Sequence, residues 1–368
     1  MESEVKPVVN LVLLGKGNVG SAWLSLFLQL KQFNKQYVNL NLVAIANSSR
    51  ALVNEKGLEQ TDIDDFRSLS KVCDLPQLID RVSGLSLSNV VVVDLTASKL
   101  VANHYLDFAS LGWHLVSANK LPLTVSSERY QRFTEVLKEN NSFWGINATV
   151  GAALPVQSSL IELLQAGDKL LSIEGVFSGS LSYLLASYDS SQSFTELLKD
   201  ACDKGFTEPD PREDLSGSDV QRKLLILARL TGQKLNLSDI SVTPLLPETL
   251  FNGSLAEFWQ QKEAIDTYMA DLYDTAKANG KKLAYVAQAQ FFNKVVESKV
   301  GLVSRDPSSA VVQLTPTDNV FTLTTEFYQH NPLIIRGPGA GAEITATAVN
   351  IDINKYITQL AVLAENNQ

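Results

Sequence analysis

Val8-Val9-Asn10-Leu11-Val12-Leu13-Leu14, followed without a break by Gly15-Lys16-Gly17-Asn18-Val19-Gly20, decides the fold of this chain. The first seven residues are apolar except for Asn10, the pattern of a strand buried on both faces in a parallel sheet. The next six fit G-x-G-x-x-G, and an apolar helical stretch, Ala22 to Leu30, follows them. In that pattern the first glycine permits a tight turn and the second lets backbone approach a pyrophosphate. The third lets helix and strand pack closely. The motif is weak alone, but here it ends a strand and opens a helix. Gly15, Gly17, Asn18, Val19 and Gly20 are therefore candidate dinucleotide contacts; the bland alternative is a structural turn.

Outward from this stretch, apolar strands are predicted at Leu42 to Ala46, Val90 to Leu95 and His114 to Ser117. Helices are predicted at Leu100 to Ser110 and from a Ser126 cap to about Asn140. Alternating strand and helix is the signature of a doubly wound α/β fold, here a Rossmann-like dinucleotide-binding domain over residues 1–147. The character changes near Asn147. Strands are predicted at Leu170 to Phe177, Lys282 to Phe291, Lys294 to Ser304 and Asn319 to Tyr328. Helices are predicted from the Ser193-x-x-Glu196 capping box to Gly205 and from Asp219 to Leu230. Residues 148–335 thus read as an α+β domain for substrate binding and dimerisation, and the Gly-rich, then helical segment 336–368 as a return to the first domain.

Composition narrows the class. A chain of 368 residues with 45% hydrophobic and 19% charged residues fits two globular domains. A net charge of −9 argues against nucleic acid as partner, since phosphate contacts need clustered Lys and Arg. Cys73 and Cys202 form no CxxC, and the three histidines are scattered. Neither a disulfide framework nor a thiolate or histidine metal site is expected, and a reducing cytoplasm fits. The acidic start, Met1-Glu2-Ser3-Glu4, opposes a secretory signal. No run of about 18 apolar residues predicts a membrane span.

Two further stretches carry chemistry. NAD enzymes place a carboxylate on the ribose 2′-hydroxyl at the end of the second strand. Here Ala46-Asn47-Ser48-Ser49-Arg50 offers none, and Asn47, Ser48 and Arg50 suit a 2′-phosphate instead, so NADP is expected before NAD. The segment Thr207 to Asp219 gathers Glu208, Asp210, Glu213, Asp214 and Asp219 against Arg212, stiffened by Pro209 and Pro211. A charge run is most often a solvated surface; a rigid acidic loop can also hold an ammonium. Asp219 and Lys223 are four apart, which sets both on one helix face. As a surface pair they are worth about 0.3–0.5 kcal/mol; beside a reacting carbonyl they are a proton-transfer pair. On the second reading Lys223→Met cuts kcat at least about a hundredfold and leaves melting nearly unchanged.

The run from Gly205-Phe206-Thr207-Glu208-Pro209-Asp210-Pro211 through Arg212-Glu213-Asp214-Leu215-Ser216-Gly217-Ser218-Asp219 to Lys223 resembles the signature of homoserine dehydrogenases. So do Ser178-Gly179-Ser180-Leu181-Ser182-Tyr183, Ser117-Ala118-Asn119-Lys120 and Ala148-Thr149-Val150-Gly151-Ala152. The matches keep the family's order over almost the whole chain and look most like the dehydrogenase half of bifunctional aspartokinase–homoserine dehydrogenases. The resemblance implies NAD(P)H-dependent reduction of L-aspartate 4-semialdehyde to L-homoserine, in threonine, methionine and isoleucine biosynthesis, by a homodimer. It implies that Glu208 and Asp214 bind the substrate's amino group, that Asp219 and Lys223 lie at the reacting carbonyl, and that Lys120 approaches substrate and nicotinamide. Thr96 and Ser98 would line the cofactor site, and Gly339 and Gly341 would close over it. The family often binds a monovalent cation, such as sodium, with an acid and backbone carbonyls. Here the acidic position is Asn147, leaving the carbonyls of Val150, Ala152 and Leu154.

Two alternatives were weighed. An aspartate-semialdehyde dehydrogenase needs a thiolate nucleophile, and neither cysteine is flanked by an activating base. A non-catalytic dinucleotide-binding regulatory module would have no use for Asp219, Lys223 and Lys120, all present.

Overall fold

The computed structural model describes residues 6–292 and 295–366. Strand β1 (Val8–Leu14) stands at the centre of a seven-stranded sheet. Its other members are β2 (Asn39–Ala46), β3 (Arg50–Val53), β4 (Lys71–Val72), β5 (Val90–Asp94), β6 (His114–Ser117) and β7 (Trp144–Gly145). Their spatial order is β4-β3-β2-β1-β5-β6-β7. β1 pairs in parallel with β2 and β5, and β5 continues in parallel to β6 and β7. Both faces of this sheet are covered, which is why its central strands are apolar at consecutive positions. Val9, Leu11 and Leu13 pack one way with Trp23, Leu24, Phe27 and Leu30 of the first helix, Asn18–Asn34. Val349, Ile353 and Ile357 of the closing helix, Ala342–Asn366, join them. Val12, Leu14 and Val92 pack the other way with Leu78, Phe108, Phe133 and Val136. Asn10, the polar break in β1, is satisfied while buried: it donates to the Ser88 carbonyl at 2.7 Å and accepts from Asn41 at 3.1 Å.

The sequence reading differs locally. The helix expected over Leu100 to Ser110 is two, Lys99–Asn103 and Tyr105–Ser110, broken at His104. Short antiparallel β3 and β4 extend the sheet beyond β2 and had not been foreseen.

The remaining strands form a second sheet. They are β8 (Leu170–Val176), β9 (Ser241–Val242), β10 (Lys282–Phe292), β11 (Val295–Arg305), β12 (Asp318–Thr325) and β13 (Leu333–Pro338). They lie in the order β13-β12-β8-β10-β11-β9, antiparallel except for β11 with β9. Lys294, where the sequence placed the start of β11, lies outside the described residues. Helices Gly179–Ser187, Ser218–Leu230 and Lys262–Ala278 pack on β10. The first of them starts at the Ser178 cap, and the Ser193–Glu196 capping box forms at Phe194–Asp203.

The chain divides into two compact units, Met1–Ala153 with Gly341–Gln368, and Leu154–Ala340. The expected boundaries lay at 147/148 and 335/336. Residues 148–153 stay with the first unit because Ala148 and Ala153 pack in its core. Residues 336–338 belong to the second because β13 runs to Pro338.

Candidate active site

In the first unit, each fingerprint glycine has its own physical reason. Gly15 sits at φ +99°, and a Cβ there would lie 2.9 Å from both the Leu95 carbonyl oxygen and Thr96 Cγ2. A Cβ on Gly20 would run into the Gly15 carbonyl. Gly17 is different: a Cβ there would meet nothing within 4 Å. The space beside its Cα is open. Gly17 also precedes a 17-residue helix with no side-chain cap and no acidic residue in its first turn, so the positive end of the helix dipole is unopposed. This fits a pyrophosphate at Gly17, Asn18 and Val19.

Past β2, Asn47 Oδ1 accepts from the amides of Ser49 and Arg50 at 3.0 and 2.9 Å and so shapes the turn. Ser48 is exposed. The Arg50 guanidinium is tied to Ser70, through Nε to Oγ at 3.0 Å and through Nη2 to the carbonyl. An arginine has five N–H donors, so these bonds orient it without exhausting it.

Sequence reasoning missed the hub of this unit, Asp94, which is fully buried at the end of β5. One oxygen accepts from the Thr96 amide at 2.9 Å and its hydroxyl at 2.7 Å. The other accepts from Tyr105 at 2.9 Å and Asn119 Nδ2 at 3.0 Å. Burial pushes this carboxyl up despite those bonds, and pushes Tyr105 up as well. Asn119 also donates to the Ser98 carbonyl at 3.1 Å, and Ser98 Oγ caps the helix Lys99–Asn103. Thr96, Ser98 and the residue before Lys120 thus hang from one carboxylate. The only sequence signal was an acid closing the run Val90-Val91-Val92-Val93.

Asn147 donates through its amide, at 2.9 Å, and its side chain to the carboxylate of Asp352, 2% exposed on the closing helix. A carboxyl group therefore stands directly beside Asn147. Burial raises the Asp352 carboxyl to about 6, against the Asn147 bonds. Gly151 and Ala152 are both left-handed, at φ +76° and +50°, a conformation costly for alanine. Among the described residues no three His, Cys, Asp or Glu side chains gather as a metal site. Gly341, at φ +122°, leads into the closing helix of this unit.

In the second unit, the acidic segment separates into two jobs. Asp210 is bound by Arg212 at 2.6 Å, and Arg212 also donates to the carbonyls of Phe251 and Gly253 at 3.1 and 2.8 Å. That cluster staples the loop. Asp214 faces inward: it accepts from Ser180 Oγ at 2.7 Å and from the Glu208 amide at 2.8 Å. Burial pushes its carboxyl up, Asp219 adds to the rise, and these two bonds and Lys223 oppose it. An arriving ammonium would relieve that burial.

Gly217, at φ +74°, is the residue before the helix Ser218–Leu230. A Cβ there would overlap the hydroxyl of Tyr285, which itself donates to the Thr243 carbonyl at 2.8 Å. One turn on, Lys223 is 8% exposed. Its Nζ donates to the Phe177 carbonyl at 2.6 Å and meets Asp219 Oδ2 at 2.8 Å. An ammonium has three N–H donors, so one remains for a ligand oxygen. The structure therefore gathers Glu208, Asp214, Asp219 and Lys223. Gly339 of this unit lies where a side chain would collide with Asn319. In this unit, the residues that sequence reasoning did not find are Phe177, Tyr285 and Asn319.

The chain matches two family models, the NAD-binding domain of homoserine dehydrogenase over residues 15–146 and homoserine dehydrogenase over residues 155–353. It is similar to the bifunctional aspartokinase/homoserine dehydrogenase 2 of Escherichia coli (strain K12), 38% identical over 350 residues. That covers 94% of this chain and 43% of that protein, so the chain spans about two-fifths of the length of such bifunctional relatives. The homoserine dehydrogenase of Schizosaccharomyces pombe is 33% identical over 368 residues, 96% of each chain. A solved Candida auris protein of unknown function superposes with a TM-score of 0.86 at 32% identity, over 96% of this chain and 98% of that one.

Proposed function

The chain belongs to the homoserine dehydrogenase family, and we propose that it interconverts L-aspartate 4-semialdehyde and L-homoserine. Its first unit carries that family's nicotinamide-dinucleotide domain. The observation that carries the proposal is Lys223: a buried ammonium fixed by a carbonyl and a carboxylate, with one donor left over.

Backbone at Gly15, Gly17, Asn18, Val19 and Gly20 holds the pyrophosphate. Asn47, Ser48 and Arg50 receive the adenosine ribose, with its 2′-phosphate, so NADP is used before NAD. Support for this is the absence of a carboxylate in the turn and a guanidinium already oriented by Ser70. Thr96, Ser98, Gly339 and Gly341 complete the cofactor contacts. When bound, the nicotinamide supplies or accepts the hydride at the substrate's carbinol carbon. Asp214 and Glu208 hold the substrate ammonium, Asp214 through lone pairs that Ser180 and the Glu208 amide leave unused. Lys223 directs its third N–H to the carbonyl oxygen, stabilises the developing alkoxide and hands it a proton. Asp219 keeps that ammonium aimed. Lys120 contacts substrate and cofactor, and is the second candidate proton carrier. A sodium ion at the carbonyls of Val150, Ala152 and Leu154 finds support in Asp352, whose carboxylate stands beside Asn147.

The protein acts as a homodimer in the cytoplasm. Ile334, on edge strand β13, and Phe292 are 51% and 54% exposed in one chain, and a partner would cover such residues. No described helix is long and apolar enough to cross a membrane. Loss of NADPH absorbance on adding aspartate semialdehyde tests the activity. NADPH binding without turnover would leave a non-catalytic module as the reading. A monomeric mass by light scattering at micromolar concentration would refute the dimer.

A further inference from the structure

The motif Ser178-Gly179-Ser180-Leu181-Ser182 contains three serines, and the site described above uses two. Ser178 accepts from the Leu181 amide and caps its helix, and Ser180 bonds Asp214. Ser182 does neither. It is 4% exposed, and its hydroxyl, closed off from solvent, has no hydrogen-bond partner among the described residues. A helical serine usually satisfies itself on the carbonyl one turn back; this one does not.

Ser182 lines a cavity of about 420 Å³ in the second unit. That volume is in the lower part of the range of small-molecule pockets, roughly 300–1,000 Å³. Most of its wall is aliphatic, including Val176, Leu181, Leu185, Val311 and Leu314. Its charged lining is Lys277, Lys281, Lys282 and Asp189. Asp189 is held by Ser191, whose hydroxyl and amide both donate to its carboxylate. Lys281 and Lys282 are exposed and have no ion pair among the described residues. A chain with a net charge of −9 thus presents two lysines with no ion pair among the described residues at a largely aliphatic cavity.

We propose that this cavity binds a small amphipathic carboxylate, its aliphatic chain among Leu181, Leu185 and Leu314 and its anionic head at Lys281 and Lys282. Charge complementarity selects an anion over a neutral chain, and the aliphatic wall selects a carboxylate with a tail over a bare anion. None of these residues belongs to the dinucleotide contacts or to the Asp214–Lys223 cluster, so the inference stands apart from the proposed activity.

Calorimetric titration of the full chain with octanoate tests it, with octan-1-ol, of equal carbon number, as the uncharged comparator and acetate as the tailless one. Octanoate should bind at one saturable site, at least about tenfold more tightly than either comparator; a tenfold ratio is about 1.4 kcal/mol. Lys281→Gln with Lys282→Gln, both at exposed positions, should weaken octanoate at least tenfold and leave octan-1-ol unchanged. Leu185→Trp, which fills the cavity, should abolish both. The basal aldehyde-reducing activity should be unchanged in the double lysine variant. Absence of saturable heat to millimolar octanoate would overturn the proposal and leave a water-filled cavity. Octanoate binding that ignores the lysine pair would overturn it too. So would a double lysine variant that changes oligomeric mass instead, which would make the cavity a contact for a second copy.

Discussion

Replacing Lys223 by methionine separates a catalytic lysine from a helix-surface ion pair, because the two predict effects on different quantities. The substitution keeps the apolar stem and removes the charge. Asp219, its side chain 43% exposed, can turn to water when the ammonium is gone. The Phe177 carbonyl cannot: Phe177 is fully buried and loses the 2.6 Å bond from Nζ. An unmade buried hydrogen bond costs roughly 1–3 kcal/mol, and each kcal/mol moves the melting temperature by about 2–4 °C in a unit of this size. A drop of several degrees is therefore expected, where the sequence alone predicted almost none. At 25 °C that loss leaves the protein folded. The rate effect is separate: loss of the group that stabilises and protonates the alkoxide lowers kcat by at least about a hundredfold, about 3 kcal/mol of barrier. The assay follows NADPH absorbance at saturating aspartate semialdehyde, alongside NADPH affinity by fluorescence, which should not change. Asp219→Asn should lower kcat less, since it disturbs aim and not charge. A Lys223→Met enzyme with kcat within about threefold of the parent would refute the reasoning, and Lys120→Met becomes the decisive variant.

Removing Arg50 should raise KM for NADPH and leave that for NADH nearly unchanged; equal changes would mean that Arg50 serves only to tie β3 to Ser70. Asp352 carries a pH signature. Its carboxyl, raised from 3.8 to about 6 by burial, holds a proton when folded that the unfolded chain has released. Native stability from this group therefore falls as pH rises between those values and levels off above them, by about 3 kcal/mol at order of magnitude. Asp352→Asn should gain on the parent in urea unfolding between about pH 4.5 and about pH 7.5; parallel behaviour at both would contradict the buried-charge argument. Gly217→Ala combines a left-handed φ with an overlap on Tyr285 and should cost more than about 1 kcal/mol. A neutral melting curve would show that the helix start can shift without strain.

Much of the first unit was legible because parallel strands buried on both faces read as unbroken apolar runs, and because Gly15 and Gly20 report steric facts that no other residue satisfies. The short strands β3 and β4, with four and two residues, carry too little pattern to be read. β13 was hidden because Leu333–Pro338 runs straight into the glycine-rich stretch. In the site, Asp219 and Lys223 were legible because one helical turn relates them. Asp214 and Ser180 are 34 residues apart, and Lys223 and Phe177 are 46 apart. In the second case the acceptor is a backbone carbonyl, which leaves no trace in composition. The Asp94 hub was invisible for a related reason: besides Thr96, two residues on, its donors are Tyr105 on a helix and Asn119 in the loop after β6, and only folding brings those two to the carboxylate.

The closing helix has a consequence for how the protein is made. Trp23 donates to Asn350, 327 residues away, and Asn34 donates to Asn354, 320 residues away. The ribosome therefore releases the first helix long before the surface that covers it. The gap of about 190 residues between Ala153 and Ala342 takes roughly 10–40 s to synthesise at about 5–20 residues per second. Through that interval Trp23, Phe27 and Leu30, all at or below 5% exposure in the finished protein, lack the helix that packs beside them. The unit begun first is completed last, and chaperone demand should concentrate in that window. A variant with the closing helix moved ahead of β1 by circular permutation should shorten it.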